Sequence, residues 1–481
     1  MQIAKRLLIP GAVVSMLLGP GSALARAGPL FYPVPTIGEA HVPDVSGEWI
    51  VWREDRSGQI DIFAYHISDK ITLNLSNDEA FEWSPRISGD LVVWQTRPQF
   101  DKPYDLHGFD LSDPALGVFP VATSKEDERL IGVDENLVAY SVPYRTGIIG
   151  NWEVARDLIV LEYLGNGRFQ ERYATNFDPN SNTRLPSIES DDYQRGDFGG
   201  EMLVYQRHDL VWSTQYGRWV TEDQHVEAID FSGGGLTHFD SPIDPWLWAD
   251  AYAAGEGRFV FADDEGGYPY DRHLWLWRTD GSVTELPPDS ASEPVEDVLA
   301  RGGADGRDFL LYDYDRRDGF FFLHTVSASG REGVIGEEID PQYARMDGEV
   351  AIFVDSNAGL GLFYFRFPDI WLSMSELVPG ESAWLQAEWA EPGEIVSFVY
   401  SLNGIGIGPC LRPLGGLCLD ILAPLTLIGE ATADSNGLAV LFESVPPNAP
   451  SGREIFTQAV VQRGVGGEDS VKSNPEREVI R

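Results

Sequence analysis

The chain has 481 residues, 43% hydrophobic, 23% charged and 12% aromatic, with a formal net charge of −41. That charge excludes nucleic acid and docking on anionic lipid, because both need clustered Lys and Arg. The length exceeds one ordinary core, so a large repeat domain or two domains is expected. Fifty Gly and 31 Pro, with only 5 Met, favour short strands and tight turns over helices.

The first segment reads as an export signal. Lys5 and Arg6 form a basic start, Leu7 to Leu18 an apolar stretch, and Ala23-Leu24-Ala25 a small-x-small cleavage site, so residues 1–27 are expected to be a signal peptide. The apolar stretch is short and broken by Pro10 and Gly11, so no membrane insertion is expected. The expected location is therefore periplasmic or secreted. The acidic surface suits solubility there, with bound Ca²⁺ or a cation-rich partner as the sharper alternative.

From residue 28 the chain repeats itself at a spacing of about 40–65 residues. Pro43-Asp44-Val45-Ser46-Gly47-Glu48-Trp49-Ile50-Val51-Trp52 aligns without a gap on Pro85-Arg86-Ile87-Ser88-Gly89-Asp90-Leu91-Val92-Val93-Trp94. Each is followed by a polar turn and a second strand, Asp61 to Tyr65 and Asp105 to Ser112. Weaker copies of the first strand begin near Leu137, Met202, Phe259, Phe309 and Val350. Small sheets that cannot bury two faces alone stack radially, so the pattern predicts an all-β fold, a propeller of about seven blades. Insertions near 145–156 and 191–196 leave six blades as the alternative. The continuous apolar run ending at Trp52 and Trp94 is expected to be the innermost strand of its blade. Phe31 to Gly38 precedes the first unit and is expected to supply the outer strand of the last blade, closing the ring.

The motif resembles that of TolB-like propellers, whose repeats read Pro-x-x-Ser-Gly-x-x-Val-x-Trp, then a polar turn, then Asp-Ile-Tyr-x-Tyr. Pro43 to Tyr65 matches closely and Pro85 to Asp110 well. The resemblance implies the propeller fold over 28–370 and, in general terms, ring faces that engage partner proteins.

Beyond Trp371 the pattern changes to alternating strands, with a hairpin turn at Asp434-Ser435-Asn436-Gly437, which predicts a small β-sandwich over 371–481. It resembles the Ig-like modules at the C-termini of secreted bacterial proteins, notably from Pro409 to Asp420. Cys410 and Cys418, the two cysteines of the chain, are expected to form one short-loop disulfide in an oxidising compartment.

Motifs for chemistry are absent. No Gly-x-Ser-x-Gly elbow and no helical His pair with Glu occurs, so serine and zinc hydrolase signatures are excluded, and no cofactor or metal is expected. His66, His107, His273 and His324 recur in or beside second strands and read as structural. Glu126-Asp127-Glu128, Asp191-Asp192 and Asp263-Asp264-Glu265 read as solvated turns. Asp313 to Gly319 is the best Ca²⁺ candidate, although an ordinary turn is preferred. The leading expectation is a non-enzymatic, exported interaction protein that binds a protein partner of the envelope or extracellular space through a propeller face. The alternative is a propeller enzyme or lectin acting on extracellular glycans or peptides, with Trp246, Trp248, Tyr268 and Tyr270 beside Asp263-Asp264-Glu265 as a sugar platform.

Overall fold

The computed structural model describes residues 31–481 apart from 57, 100, 144–155, 176–183, 189–195, 200, 214–217, 233–235, 241–249, 254–257, 265–271, 287–294, 299–307, 316–319, 328–331, 338–340, 348–349, 356–357, 407 and 436. The expected signal peptide, residues 1–27, lies outside them. Among the described residues no helix is long and apolar enough to cross a membrane.

Seven antiparallel sheets follow one another along the chain, as the repeat predicts. Blade 1 comprises Glu39–Ser46, Trp49–Arg56, Gln59–His66 and Ile71–Asn74. Blade 2 comprises Phe81–Ser88, Leu91–Arg97, Asp105–Asp110 and Phe119–Ala122, and blade 3 begins with Arg129–Asp134 and Leu137–Pro143. In blade 4 the first strand is divided: Arg184–Ile188 and Gly196–Gly199 both pair with Met202–Ser213. Blade 7 consists of Pro341–Asp347, Val350–Asp355, Gly361–Arg366 and, on its outer edge, Tyr32–Pro33.

That last pairing closes the ring. Tyr32 lies opposite Tyr364, and Val34 N donates to Leu362 O at 2.9 Å. Phe31 meets Phe353 and Phe365 edge to face, with centroids 5.1 and 5.7 Å away, a favourable aromatic geometry.

One expectation is corrected. The first strands of successive blades approach one another around the ring, so Glu39–Ser46 is innermost and the Trp-bearing strand is second. The apolar run is continuous because neighbouring blades cover both its faces. Ile50 and Trp52 pack with Ile352, Val354 and Tyr364 of blade 7, whereas Val51 packs with Ile87, Val92 and Trp94 of blade 2. The inner strands instead carry a bulge, between His41 and Asp44 in blade 1 and between Trp83 and Arg86 in blade 2. Pro43 and Pro85 sit within these bulges, where a missing N–H breaks no ladder bond.

The Ser-Gly turn has its own function. Ser46 Oγ accepts from Gly89 N of blade 2 at 3.0 Å, and Ser88 Oγ accepts from Glu135 N of blade 3 at 2.7 Å. Asp134 Oδ2 continues the series to Glu201 N of blade 4 at 2.6 Å. Across the closure, Asp347 Oδ2 accepts from Ser46 Oγ at 3.1 Å and from Gly47 N at 2.9 Å. Gly47 and Gly89 take left-handed φ values of 54° and 55°, and a Cβ there would meet no atom within 4 Å. Their glycines therefore serve conformation and not space.

The final residues form two facing sheets. Trp371–Met374, Ser382–Glu388 and Ala439–Ser444 make the smaller; Thr426–Thr432, Ile395–Ser401 and Glu454–Val461 head the larger. Leu385, Ala387, Val396, Phe398, Ala459 and Val461 form the core between them. The outer side of the larger sheet packs Phe456 and Val460 against Leu414, Leu419 and Ile421. Leu414 belongs to the loop that Cys410 and Cys418 close by a disulfide bond, and Leu419 and Ile421 follow directly after it. A Cβ on Gly415 would lie 2.4 Å from Gly467 O, and its φ of 63° is left-handed, so this loop needs glycine there on both counts.

Replacing Asp347 by Ala removes the acceptor at the closure and leaves Gly47 N and Ser46 Oγ without it. Urea titration of the purified chain is expected to give a loss of about 1–2 kcal/mol, and Asp347→Asn, which keeps one oxygen, to lose less.

Candidate functional site

In blades 1 to 3 the position opposite the start of the inner strand belongs to a buried polar slot. In blade 1 the pair is Ala40 opposite Glu54, and in blade 2 it is Glu82 opposite Thr96. The carboxylate thus enters from opposite strands in the two blades. Counting back from the Asp134 turn puts Glu128 of blade 3 at the register of Ala40 and Glu82.

Glu54 is fully buried and saturated. Its carboxylate accepts from Ile37 N at 2.9 Å, Gly38 N at 2.8 Å, Trp52 Nε1 at 2.9 Å and Arg56 Nε at 2.7 Å. Burial acts to raise its pKa, but these four donors prevail and hold it below the usual carboxylate range. This is a structural carboxylate that fastens the segment entering blade 1.

Glu82 is just as buried, with 0% exposure, yet its environment is opposite. Thr96 Oγ1 donates to its Oε1 at 3.2 Å, and its Oε2 meets no donor among the described residues. Burial pushes its pKa up to about 9, and the charge of the neighbouring Asp78 carboxylate adds to the shift. Glu82 therefore keeps its proton at neutral pH, and the neighbouring Asp78 favours that neutral form. Asp78 is exposed, in the loop between blades 1 and 2; its Oδ1 accepts from Ala80 N at 2.7 Å, and its carbonyl from Gln59 Nε2 at 2.7 Å.

Three further groups extend the cluster. His107 lies opposite Trp94, and Asp105 lies opposite Thr96, on the same sheet face as Glu82. Burial lowers the His107 pKa, while Asp105 and Asp78 pull it back. Burial raises Asp105. Glu128, 1% exposed, is raised by burial and by the charge of Asp105, against hydrogen bonding from Ser124. Its Oε2 also lacks a donor among the described residues.

Beside these carboxyls runs a series of guanidinium–aromatic contacts. Arg53 of blade 1 covers the Trp83 ring at 3.8 Å, and Arg97 and Arg129 approach the Tyr104 ring at 4.5 and 4.4 Å. Arg129 also pairs with Asp127 at 2.7 Å. Such contacts hold the strand ends that carry the carboxyls.

Several sequence expectations change. Glu126-Asp127-Glu128 is not a solvated turn, since Glu128 is buried and Asp127 is ion-paired to Arg129 and Arg156. The four histidines lie in third strands but not at one repeated position: His66 faces Trp49, His107 faces Trp94, His273 faces Asp263 and His324 faces Leu311. His66 packs on Trp49 with centroids 4.6 Å apart. Trp246, Trp248, Tyr268, Tyr270, Glu265 and Asp191-Asp192 lie outside the described residues. Of the Ca²⁺ candidate, Asp313 to Asp315 belong to the strand Asp308–Asp315 and 316–319 are likewise outside. Among the described residues no group of three or more His, Cys, Asp or Glu could hold a metal. The sequence reading missed Asp78, Glu82 and Asp105; the available signal was Glu82 in the aligned place of Ala40.

No family model matches the chain, and no curated protein does. Solved structures do. A prolyl endopeptidase is 11% identical with a TM-score of 0.44, covering 73% of this chain and 53% of its own. The acylaminoacyl peptidase of Pyrococcus horikoshii is 12% identical, TM-score 0.41, covering 74% and 59%. The WD40 domain of Toxoplasma gondii coronin is 10% identical, TM-score 0.39, covering 71% and 87%. The chain spans about half the length of the first of these. The propeller fold itself rests on the seven successive antiparallel sheets of the ring.

Oligopeptidase B and puromycin hydrolase also match, so four of these five carry a peptidase or hydrolase name. The expectations of a non-enzymatic interaction protein, and of no enzyme, are corrected on that finding. Contiguous motifs do not reveal the carboxyl cluster, which is assembled from two loops and two strands that meet only in the folded ring.

The proton on Glu82 makes a thermodynamic prediction. Its folded pKa is raised from 4.5 to about 9, so its stabilising contribution is complete below pH 4.5 and disappears as pH rises through about 9. Within that window this group alone lowers stability by about 1.4 kcal/mol per pH unit. Glu82→Gln keeps the acceptor for Thr96 and needs no proton. Urea midpoints measured from pH 5 to 9 are expected to fall less steeply for the variant, which overtakes the parent at the alkaline end.

Proposed function

We propose that the propeller is an exported enzyme that hydrolyses an extracellular glycan or peptide by acid–base chemistry at Asp78, Glu82 and His107. The observation that carries this reading is the pair of adjacent carboxyls, an exposed Asp78 and a buried Glu82 held protonated up to about 9. A buried carboxyl kept protonated beside an exposed one is an arrangement that can run acid and base steps at one pH. Glu82 acts as the proton reservoir behind Asp78, Asp78 presents the carboxylate to substrate, and His107, kept neutral by burial, serves as a second acceptor. Glycosidic and peptide bonds share the requirement for this pair. A protein of the envelope or extracellular space is the substrate in the peptide case.

The rest of the chain is read accordingly. Residues 1–27 act as the signal peptide, 28–370 form a propeller of the TolB-like kind and 371–481 an Ig-like module that spaces or presents it. The disulfide Cys410–Cys418 accords with an oxidising, extracytoplasmic location. The charge of −41 keeps the ring off nucleic acid.

The test is a hydrolysis assay of the mature chain on fluorogenic peptide pools and on polysaccharides, read by amine and by reducing-end release. One class is expected to be cleaved, with Asp78→Asn lowering kcat by about 10²–10⁴-fold. Cleavage of neither class, or an Asp78→Asn variant as active as the parent, ends this reading.

A further inference from the structure

The two facing sheets of residues 371–481 do not meet along their whole length. Towards the strand ends a cleft of about 570 Å³ opens between them, a volume in the range of small-molecule sites. Met374 and Leu385 line it from the smaller sheet, and Tyr400, Ile428, Ile455 and Thr457 from the larger.

Thr457 is the anomaly. It lies opposite Tyr400, two residues along from the Ala459–Phe398 pair, so strand alternation points it between the sheets in the row Val461, Ala459, Thr457, Ile455. Its neighbours in that row are apolar. Thr457 is 0% exposed, and its Oγ1 has no hydrogen-bond partner among the described residues. A buried hydroxyl without a partner is costly, and Val would fill the same volume without that penalty.

The mouth has a complementary feature. Arg453 lines it, four residues before Thr457 on the same chain run, about 13 Å away at the rise of a strand. Among the described residues Arg453 pairs with no carboxylate, although the chain has 76 Asp and Glu against 35 Lys and Arg. The cleft therefore offers an apolar body with a hydroxyl on its floor, and a polar rim in which Arg453 is the cation and Glu443, Ser444 and Asn448 also take part.

We propose that this cleft binds a medium-chain acyl carboxylate bearing a hydroxyl on its chain. The alkyl part replaces water along Met374, Leu385, Ile428 and Ile455, the carboxylate meets Arg453, and the hydroxyl satisfies Thr457 Oγ1. The assignment is independent of the carboxyl cluster in the propeller, since it shares no residue with it.

The experiment is isothermal titration of the full mature chain with 10-hydroxydecanoate and with decanoate. The hydroxylated probe is expected to bind about five- to tenfold more tightly, the worth of one net hydrogen bond. Thr457→Val is expected to abolish that difference while leaving decanoate affinity unchanged. Arg453→Gln, at an exposed position, is expected to weaken both probes by a similar factor. Failure of the parent to bind either probe, or a preference for the hydroxylated probe that survives Thr457→Val, overturns the proposal. Should Thr457→Val not fold, equal binding of both probes by the parent, or affinities unaltered in Arg453→Gln, does the same.

Discussion

A propeller must make each sheet depend on the next, because a single four-stranded sheet cannot cover both of its faces. Beside the apolar packing between blades, a recurring polar tie joins neighbouring inner strands among the described residues. The side chain that ends an inner strand accepts a hydrogen bond from the next blade's turn, through Ser46, Ser88 and Asp134 in succession and Asp347 across the closure. That geometry requires a backbone N–H turned outward at the hairpin, which a left-handed residue provides. Gly47 and Gly89 adopt it freely, whereas Glu135, with φ of 50°, adopts it against its side-chain preference. The tie thus persists even where the glycine is lost, so the acceptor is the more fundamental part of the motif.

The ties fix where everything else lies. They hold the inner strands in register around the ring, which sets the faces of the second strands against their neighbours. Trp52 and Trp94 then fill successive gaps between blades. Because the register repeats, so does the polar slot beside each of these tryptophans, and the carboxyls in it sit at corresponding depths. The closure by Phe31 and Tyr32 belongs to the same logic: it pairs the outer edge of blade 7 and adds aromatic contact on Phe353 and Tyr364.

The scaffold was readable from the chain because its determinants are local and repeated. The Ser-Gly turn, the apolar run before Trp52 and the orphan strand at Tyr32 each occupy a few consecutive residues, and their recurrence gave the number of blades. The place of the Trp strand was misread because continuous burial has two origins. It marks a strand at the centre of a sheet as well as one at the hub, and covering by both neighbouring blades decides between them. The cluster was not readable for a related reason. Asp78 comes from a loop, Glu82 from an inner strand, Asp105 and His107 from a third strand and Glu128 from the next blade. Asp105 and His107 share the two-residue period of one strand, but the groups together spread over residues 78–128 and two blades, and Glu126-Asp127-Glu128 has the composition of an exposed turn. Only the alignment of Glu82 on Ala40 carries any trace of it.

The contrast between Glu54 and Glu82 separates scaffold from chemistry within one repeated slot. Both carboxyls are fully buried, and burial alone drives both toward neutrality. Four donors reverse the effect at Glu54, including the N–H groups of Ile37 and Gly38, which exist there only because the closing segment enters at that point. Blade 2 has no such segment. In its place the loop from blade 1 brings a second carboxylate, Asp78, which supplies charge where Glu54 receives donors. The ring closure therefore accounts for the difference: the repeated slot holds a fixed anion where the first and last blades meet and a retained proton one blade further on.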